Sequence, residues 1–340
     1  MAKLPTFKPA RGRYVVSAAA LAVMCLLVAF ALIPAAGAQP SRNTGKTVTI
    51  CTSTGMEGMF VEEIPAIGLQ RLGYKPKWPL TLSVPTEHQA VATGDCTYMI
   101  DEWVPLHNSF YAKVKSKTTR VGPIVKNAGQ GYLIDKKTAD QYHITSLSQL
   151  SNPAIAKLFS SAVPGKADLC CVTPGWGAER VAKHEISALG LDNTVNLVEG
   201  DYFTLFAQTL SRFKQGQSVL FYTWTPNWTL NLMKPGKDVV WLSVPGNACD
   251  TSQPCGTSTS GFPSNDIYAL ANRSFMAANP PVKKFLSLVK IPIGDINAEN
   301  RLIQKGEKTQ ADVTRHAQQW VAKHSALFNS WLRQARAAAK

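Results

Sequence analysis

The sequence predicts a two-lobed α/β protein, and three observations carry that reading. A β-α-β-α-β alternation occurs twice along the chain, which is the pattern of parallel sheets covered by helices. Two apolar runs, Tyr98-Met99-Ile100 and Val219-Leu220-Phe221-Tyr222, lead into Trp-x-Pro at Trp103 and Trp224. Pro cannot donate to a sheet ladder, so each run reads as a buried strand that stops with its Trp at the carboxyl end, where open α/β sheets bind ligands. Strands beginning near Gly131 and Asp266 would carry the chain from the first set to the second and back. Two crossings make a two-strand hinge, which permits closure around a ligand.

The first set begins with an alternating strand at 46–52 and a helix at 58–72 ended by Gly73, with Pro65 expected to kink it. A second strand is read at 80–84, a short helix at 87–93 stopped by Gly94, and the strand 96–102 feeding Trp103. After a Gly-containing bend at 127–131, the second set runs as strand 131–134, short helices 146–150 and 154–158, and strand 167–172. Helix 176–189, strand 194–198, helix 202–215 and strand 218–223 complete it. The return strand is placed at 266–271, with closing helices at 281–290 and 310–337. The last carries Val313, Ala317, Trp320, Leu327 and Trp331 on one face, so packing alone accounts for it. Lobe I therefore comprises 39–130 and 266–340, and lobe II 131–265.

Residues 1–38 are not read as fold. Lys3, Lys8, Arg11 and Arg13 form a positive start, residues 15–33 are apolar, and Ala36-Gly37-Ala38 is a small-residue cleavage site, so the segment is a signal peptide. The apolar stretch is long for a signal, which leaves an uncleaved membrane anchor as the alternative. Export places the mature chain in the periplasm or another extracytoplasmic space. It has no second apolar run of membrane-spanning length and is expected to be soluble. The whole chain carries a net charge of +14, and removal of four cations leaves a basic surface. No Lys/Arg stripe alternates with aromatics, so no nucleic-acid partner is expected.

Six cysteines remain in an oxidising compartment. Cys249 and Cys255 lie in one polar Gly/Pro/Ser loop and form the best candidate disulfide. Cys51 ends the first strand and Cys96 begins a later one. On parallel strands that puts them at opposite ends of the sheet, too far apart to bridge. Cys170 and Cys171 are neighbours pointing to opposite strand faces. These four are read as buried small hydrophobes, and no Cys/His spacing suits a metal.

Most tryptophans are assigned to the core: Trp78, Trp228, Trp241, Trp320 and Trp331. Trp103, Trp176 and Trp224 differ, because Pro or Gly flanks each at an element boundary, where side chains reach a cleft. Indole faces suit a cation with no proton to donate, a quaternary ammonium. In Pro174-Gly175-Trp176-Gly177-Ala178 a helix starts, and the N–H groups of Gly177 and Ala178 would sit at its positive end, suited to a carboxylate. His107, four residues past Trp103, would pair with that carboxylate or be a structural histidine. Catalysis finds no support: Gly-x-Ser-x-Gly, His-Glu-x-x-His and Walker patterns are absent. Asp101 and Glu102 face opposite sides of a strand, one expected buried and one solvated.

At these residues the chain resembles the periplasmic glycine betaine/proline betaine-binding proteins of osmoprotectant ABC transporters. The likeness runs from about Lys46 to the C-terminus. It is carried by Gly129-Gln130-Gly131-Tyr132-Leu133-Ile134-Asp135-Lys136-Lys137-Thr138-Ala139-Asp140, Pro174-Gly175-Trp176-Gly177, Tyr222-Thr223-Trp224-Thr225-Pro226 and Lys234-Pro235-Gly236-Lys237-Asp238-Val239-Val240-Trp241. The resemblance implies a type II periplasmic-binding-protein fold. It also implies a monomeric, non-enzymatic receptor without a cofactor, which delivers a betaine to an ABC permease in the membrane. Trp103, Trp176 and Trp224 match the box around the trimethylammonium group, and Gly177, Ala178 and His107 match the carboxylate contacts. Better-known members have a cysteine pair bracketing Pro-Gly-Trp-Gly, whereas Val172 and Ala178 stand there in this chain, which implies a less rigid carboxylate loop. A choline or carnitine receptor, an enzyme on the same fold and a membrane-tethered sensor module are the alternatives.

Overall fold

The computed structural model describes residues 45–53, 56–249 and 261–339; the signal-peptide reading and Cys255 lie outside them. The described residues belong to the unit Arg42–Lys340. Among them, no helix is long and apolar enough to cross a membrane.

The first set is β1 (Thr47–Thr52), α1 (Met56–Arg71), β2 (Lys75–Thr81), α2 (Val84–Thr93), β3 (Tyr98–Val104) and α3 (Asn108–Val114). β4 (Thr118–Asp135) follows, then α4 (Lys136–Tyr142), α5 (Pro153–Ala156), β5 (Ala167–Val172), α6 (Gly177–Ala188), β6 (Val195–Glu199), α7 (Tyr202–Lys214), β7 (Leu220–Thr225) and β8 (Val239–Trp241). The chain ends with β9 (Asn265–Asn272), α8 (Arg273–Ala278), α9 (Pro280–Leu288), α10 (Ile293–Gln304), α11 (Gln310–Lys323) and α12 (Ser325–Ala337).

The strands run in the order β2-β1-β3-β9-β4-β7-β5-β6, with β8 paired to β4. β1 is parallel to β2 and β3, and β5 is parallel to β6 and β7, as the two alternating sets require. The antiparallel members are β9 and the long β4. β4 pairs with β9 from Thr118 to Ala128 and with β7 from Gly129 to Ile134. One strand thus serves both halves of the order, and its partner changes at the Gly-containing bend, where Asn127 has a positive φ of 61°.

α1 carries Pro65 as a buried interior residue. Its Gly68 allows α9 to approach, because a Cβ there would stand within about van der Waals overlap of the Phe285 ring. β2 begins five residues earlier than expected, since it pairs from Lys75 beside Thr47. The expected single helix 310–337 is two helices divided at His324, whose ring Nδ1 lies 2.8 Å from the Trp320 carbonyl. The break rotates the apolar face: Phe328 is fully buried and Leu327 is 49% exposed. Trp320 and Trp331 are core as expected, whereas Trp241 is exposed because β8 is a short strand paired only with β4.

Two cysteine readings are corrected. Cys51 and Cys96 form a disulfide with Cα atoms 5.9 Å apart. The error lay in the register: Ile50 pairs with Tyr98 and Cys51 with Met99, so the end of β1 lies beside the start of β3 rather than a strand length away. Cys170 and Cys171 are also joined, as sequence neighbours. Cys171 takes a positive φ of 78°, and the β5–β6 register shifts between Cys170 and Val172. Cys249 is itself disulfide-bonded.

Candidate functional site

Trp103 is the penultimate residue of β3 and Trp224 the penultimate residue of β7, so both stand at carboxyl strand ends. The peptide bonds that follow, Val104–Pro105 and Thr225–Pro226, are both cis. Trp176 is the N-cap of α6. The three indoles line one cavity. His107, Gly177 and Ala178 line it too, so every cavity residue singled out in the sequence is brought to one place.

The second-half aromatics are packed against each other. The Trp176 and Trp224 rings meet edge to face at 5.3 Å between centroids. Tyr202, from α7, lies 4.5 Å from Trp224 and stacks on Trp176 at 6.0 Å. Its hydroxyl is 2.8 Å from Thr223 Oγ1, which fixes the ring behind both indoles. Trp103 is held differently: its Nε1–H donates to Asp101 Oδ1 at 2.7 Å.

Sequence reasoning missed Tyr222, Gln130, Asp101 and Ser53 as cavity residues. Tyr222 precedes Trp224 by two positions and therefore shares its face of β7. Its hydroxyl donates to Gln130 Oε1 at 2.6 Å, and Gln130 is the β4 residue paired with Trp224. That leaves Gln130 Nε2 buried without a partner. The period-two spacing of Tyr222 and Trp224 was a usable signal; the Gln130 register was not, because it depends on how β4 pairs.

The other end of the cavity is the start of α6. Its N-terminal N–H groups have no side-chain cap, so they present unpaired donors and the positive end of the helix dipole. Gly177 is required sterically, because a Cβ there would lie 2.8 Å from Leu106 Cγ and 3.2 Å from the Leu106 carbonyl oxygen. His107 is 3% exposed and its Nδ1 has no partner. Burial holds this imidazole well below the usual histidine range, and the positive charges of His88, Arg120 and Arg180 act in the same direction. A hydrogen bond from the ring to the Asp101 backbone opposes that shift and occupies the one N–H of a neutral imidazole.

Asp101 and Glu102 are both buried, which corrects the expectation of one solvated carboxylate. Helices α1 and α2 both pack against β3, whose residues 98–103 are all buried. Glu102 lies 2.7 Å from His88 Nε2 and accepts from Arg120 Nε at 2.8 Å. His88, Glu102 and His107 are close enough together to hold a cation. The guanidinium already seated on Glu102 makes the group an ion-pair network instead. Asp101 accepts from Trp103 and, on its other oxygen, from Ser53.

Comparison with known proteins adds five findings. Residues 46–323 match the family model OpuAC, the substrate binding domain of ABC-type glycine betaine transport systems. The chain is 43% identical over 305 residues to the glycine betaine-binding periplasmic protein OusX of Dickeya dadantii (strain 3937), covering 87% of this chain and 92% of that protein. It is 40% identical over 323 residues to the glycine betaine/proline betaine-binding periplasmic protein of Salmonella typhimurium (strain LT2), covering 92% of this chain and 97% of that protein. In fold it is similar to a glycine betaine, L-proline-binding protein of Borrelia burgdorferi (TM-score 0.69, 16% identity, 87% of this chain and 100% of that one). It is likewise similar to lactococcal OpuAC in its closed form with glycine betaine (TM-score 0.66, 20% identity, 84% and 99%).

Proposed function

We propose, for a chain that belongs to the family of substrate-binding domains of ABC-type glycine betaine transport systems, that it captures glycine betaine or proline betaine in the tryptophan-walled cavity and delivers it to a membrane permease. The observation that carries this reading is the convergence of Trp103, Trp176 and Trp224 on a cavity that also holds an uncapped helix start. Indole faces attract a methylated ammonium that offers no hydrogen bond. Unpaired N–H groups at Gly177 and Ala178, with His107, suit the carboxylate at the other end of a betaine. The reading is of a binding protein and not an enzyme, as the family is. An exported receptor accords with relatives named as periplasmic proteins.

Delivery calls for a conformational signal, and the two-lobe division supplies one. Trp103 belongs to the first lobe (39–130 and 266–340), Trp176 and Trp224 to the second (131–265). The change of partner along β4 at Ala128–Gly129 supports a hinge there, with β9 as the second crossing. Ligand that touches both lobes favours the closed form by its higher affinity for it. Calorimetric titration with glycine betaine tests the binding. Saturating ligand is expected to change tryptophan fluorescence and to reduce the radius of gyration in small-angle scattering. No heat of binding under any condition would overturn the reading, and a ligand complex with the dimensions of the free protein would overturn the closure.

Gly177→Ala probes the carboxylate end. The added methyl would collide with Leu106, so α6 must withdraw from the cavity by a few tenths of an ångström or Leu106 must shift. Betaine affinity is expected to fall roughly 3- to 30-fold, because hydrogen-bond strength is lost steeply with misplacement. Unfolding temperature should fall as well, because the clash with buried Leu106 overpacks the site. An unchanged dissociation constant would show that the start of α6 does not hold the ligand.

A further inference from the structure

The cavity contains one buried acid that the aromatic reading leaves unused. Asp101 lines it beside Trp103 and also lines the adjoining apolar hollow behind Trp103 and Trp224. A carboxylate at 3% exposure is costly unless donors or a cation satisfy it. Donors are present: Trp103 Nε1–H on one oxygen and the Ser53 hydroxyl on the other. A cation is not.

Resting on the betaine reading above, we propose that Asp101 is a specificity-determining residue, the counter-charge that the ligand's quaternary ammonium meets against Trp103. The cavity then has an electrostatic axis, with a carboxylate near the indole wall and the positive start of α6 elsewhere on its lining. A zwitterion placed along that axis satisfies both ends, whereas an uncharged head group of the same shape gains nothing from Asp101.

The neighbouring groups decide which acid carries the charge. Glu62 on α1 and Glu87 on α2 face Asp101 from either helix, and burial together with the Asp101 charge pushes both well above the usual carboxylate range. Asp101 itself is pushed up to about 6 by burial, opposed by its hydrogen bonds from Ser53 and Trp103 and by the charge of His88. Tyr222 on β7 is raised by burial and stays neutral, and His107 is neutral as argued above. Asp101 is therefore ionised at pH 8 and largely protonated at pH 5. The quaternary ammonium cannot titrate, so the sign is fixed: affinity is full above about pH 6 and declines as pH falls through it.

The test compares glycine betaine with 3,3-dimethylbutanoate, its uncharged-head isostere with the same carboxylate, on the wild-type protein and Asp101→Asn. Asn keeps an oxygen to accept from Trp103 and removes the charge, while its amide group takes the place of the oxygen that accepts from Ser53. For wild type, betaine affinity is expected to fall about tenfold from pH 8 to pH 5. In Asp101→Asn it should be about tenfold weaker at pH 8 and flat with pH, while the isostere binds the two proteins alike. Equal weakening of both ligands would mean that Asp101 only holds Trp103 in place, and would overturn the proposal. So would a pH-independent wild-type affinity, a measurement that needs no variant. Absence of betaine binding to the wild-type protein at pH 8 would instead overturn the functional reading on which the proposal rests.

Discussion

Trp103→Ala, Trp176→Ala and Trp224→Ala are each expected to weaken glycine betaine binding by about 1–3 kcal/mol, or roughly 5- to 150-fold. A desolvated cation over an indole gains about 2 kcal/mol, and truncating a large aromatic at the centre of a site also opens a void. The three should differ in their side effects. Trp224 is 6% exposed and packs on Trp176 and Tyr202, so its removal also loosens the aromatic cluster of the second set. Trp103 is tied to Asp101, and its loss frees a buried carboxylate from one of its donors. Trp320→Ala is the control. That indole is buried, donates to Asp295 Oδ2 at 2.9 Å and stacks near Trp331, far along the chain from the cavity residues. Its removal should lower the unfolding temperature and leave the dissociation constant alone. Titration calorimetry with melting curves separates the two effects, and three cavity variants with wild-type affinity would sink the aromatic reading.

What could be read from the sequence was local. Strand ends marked by Trp-x-Pro, the helix start after Pro174 and the stops at Gly73 and Gly94 depend on residues within a few positions, and the structure places strands and helices there. The cavity residues His107, Gly177 and Ala178 were found because each sits next to such a marker. Long-range pairing was not legible. The 18-residue β4 was reduced to its last few apolar positions, because its first half alternates around Gly122, Pro123 and Asn127, residues that read as turn. The Cys51–Cys96 bond was rejected through an assumed in-step register, when β3 enters beside the end of β1. Gln130 entered the site only through its pairing with Trp224, and the burial of Asp101 depends on what packs against β3. These facts live in the sheet's order, and no periodicity within one segment encodes them.

Glycine betaine is expected to bind far better than choline, which has the same trimethylammonium group and no carboxylate. The cation end of the cavity would treat the two alike, since the indoles and Asp101 see only the methylated nitrogen. Discrimination must come from the donors. The start of α6 offers N–H groups without a side-chain cap, and Gln130 Nε2 is buried without a partner. A buried donor left unpaired costs about 1–3 kcal/mol, and a hydrogen bond to a charged partner contributes about 1.5–3 kcal/mol. Choline's hydroxyl can accept from one of these donors, but without charge, and it leaves the others empty. The expected gap is therefore about 2–4 kcal/mol, roughly 30- to 1,000-fold in dissociation constant. Gly177→Ala should narrow it, because the substitution displaces the donors and leaves Trp103 and Trp224, which stand on the strands, in place. Competition calorimetry with both ligands at pH 8, where Asp101 is ionised, gives the ratio directly. Equal affinities would mean that the site reads the ammonium alone, and the start of α6 would then be a capping defect filled by water and no part of the recognition.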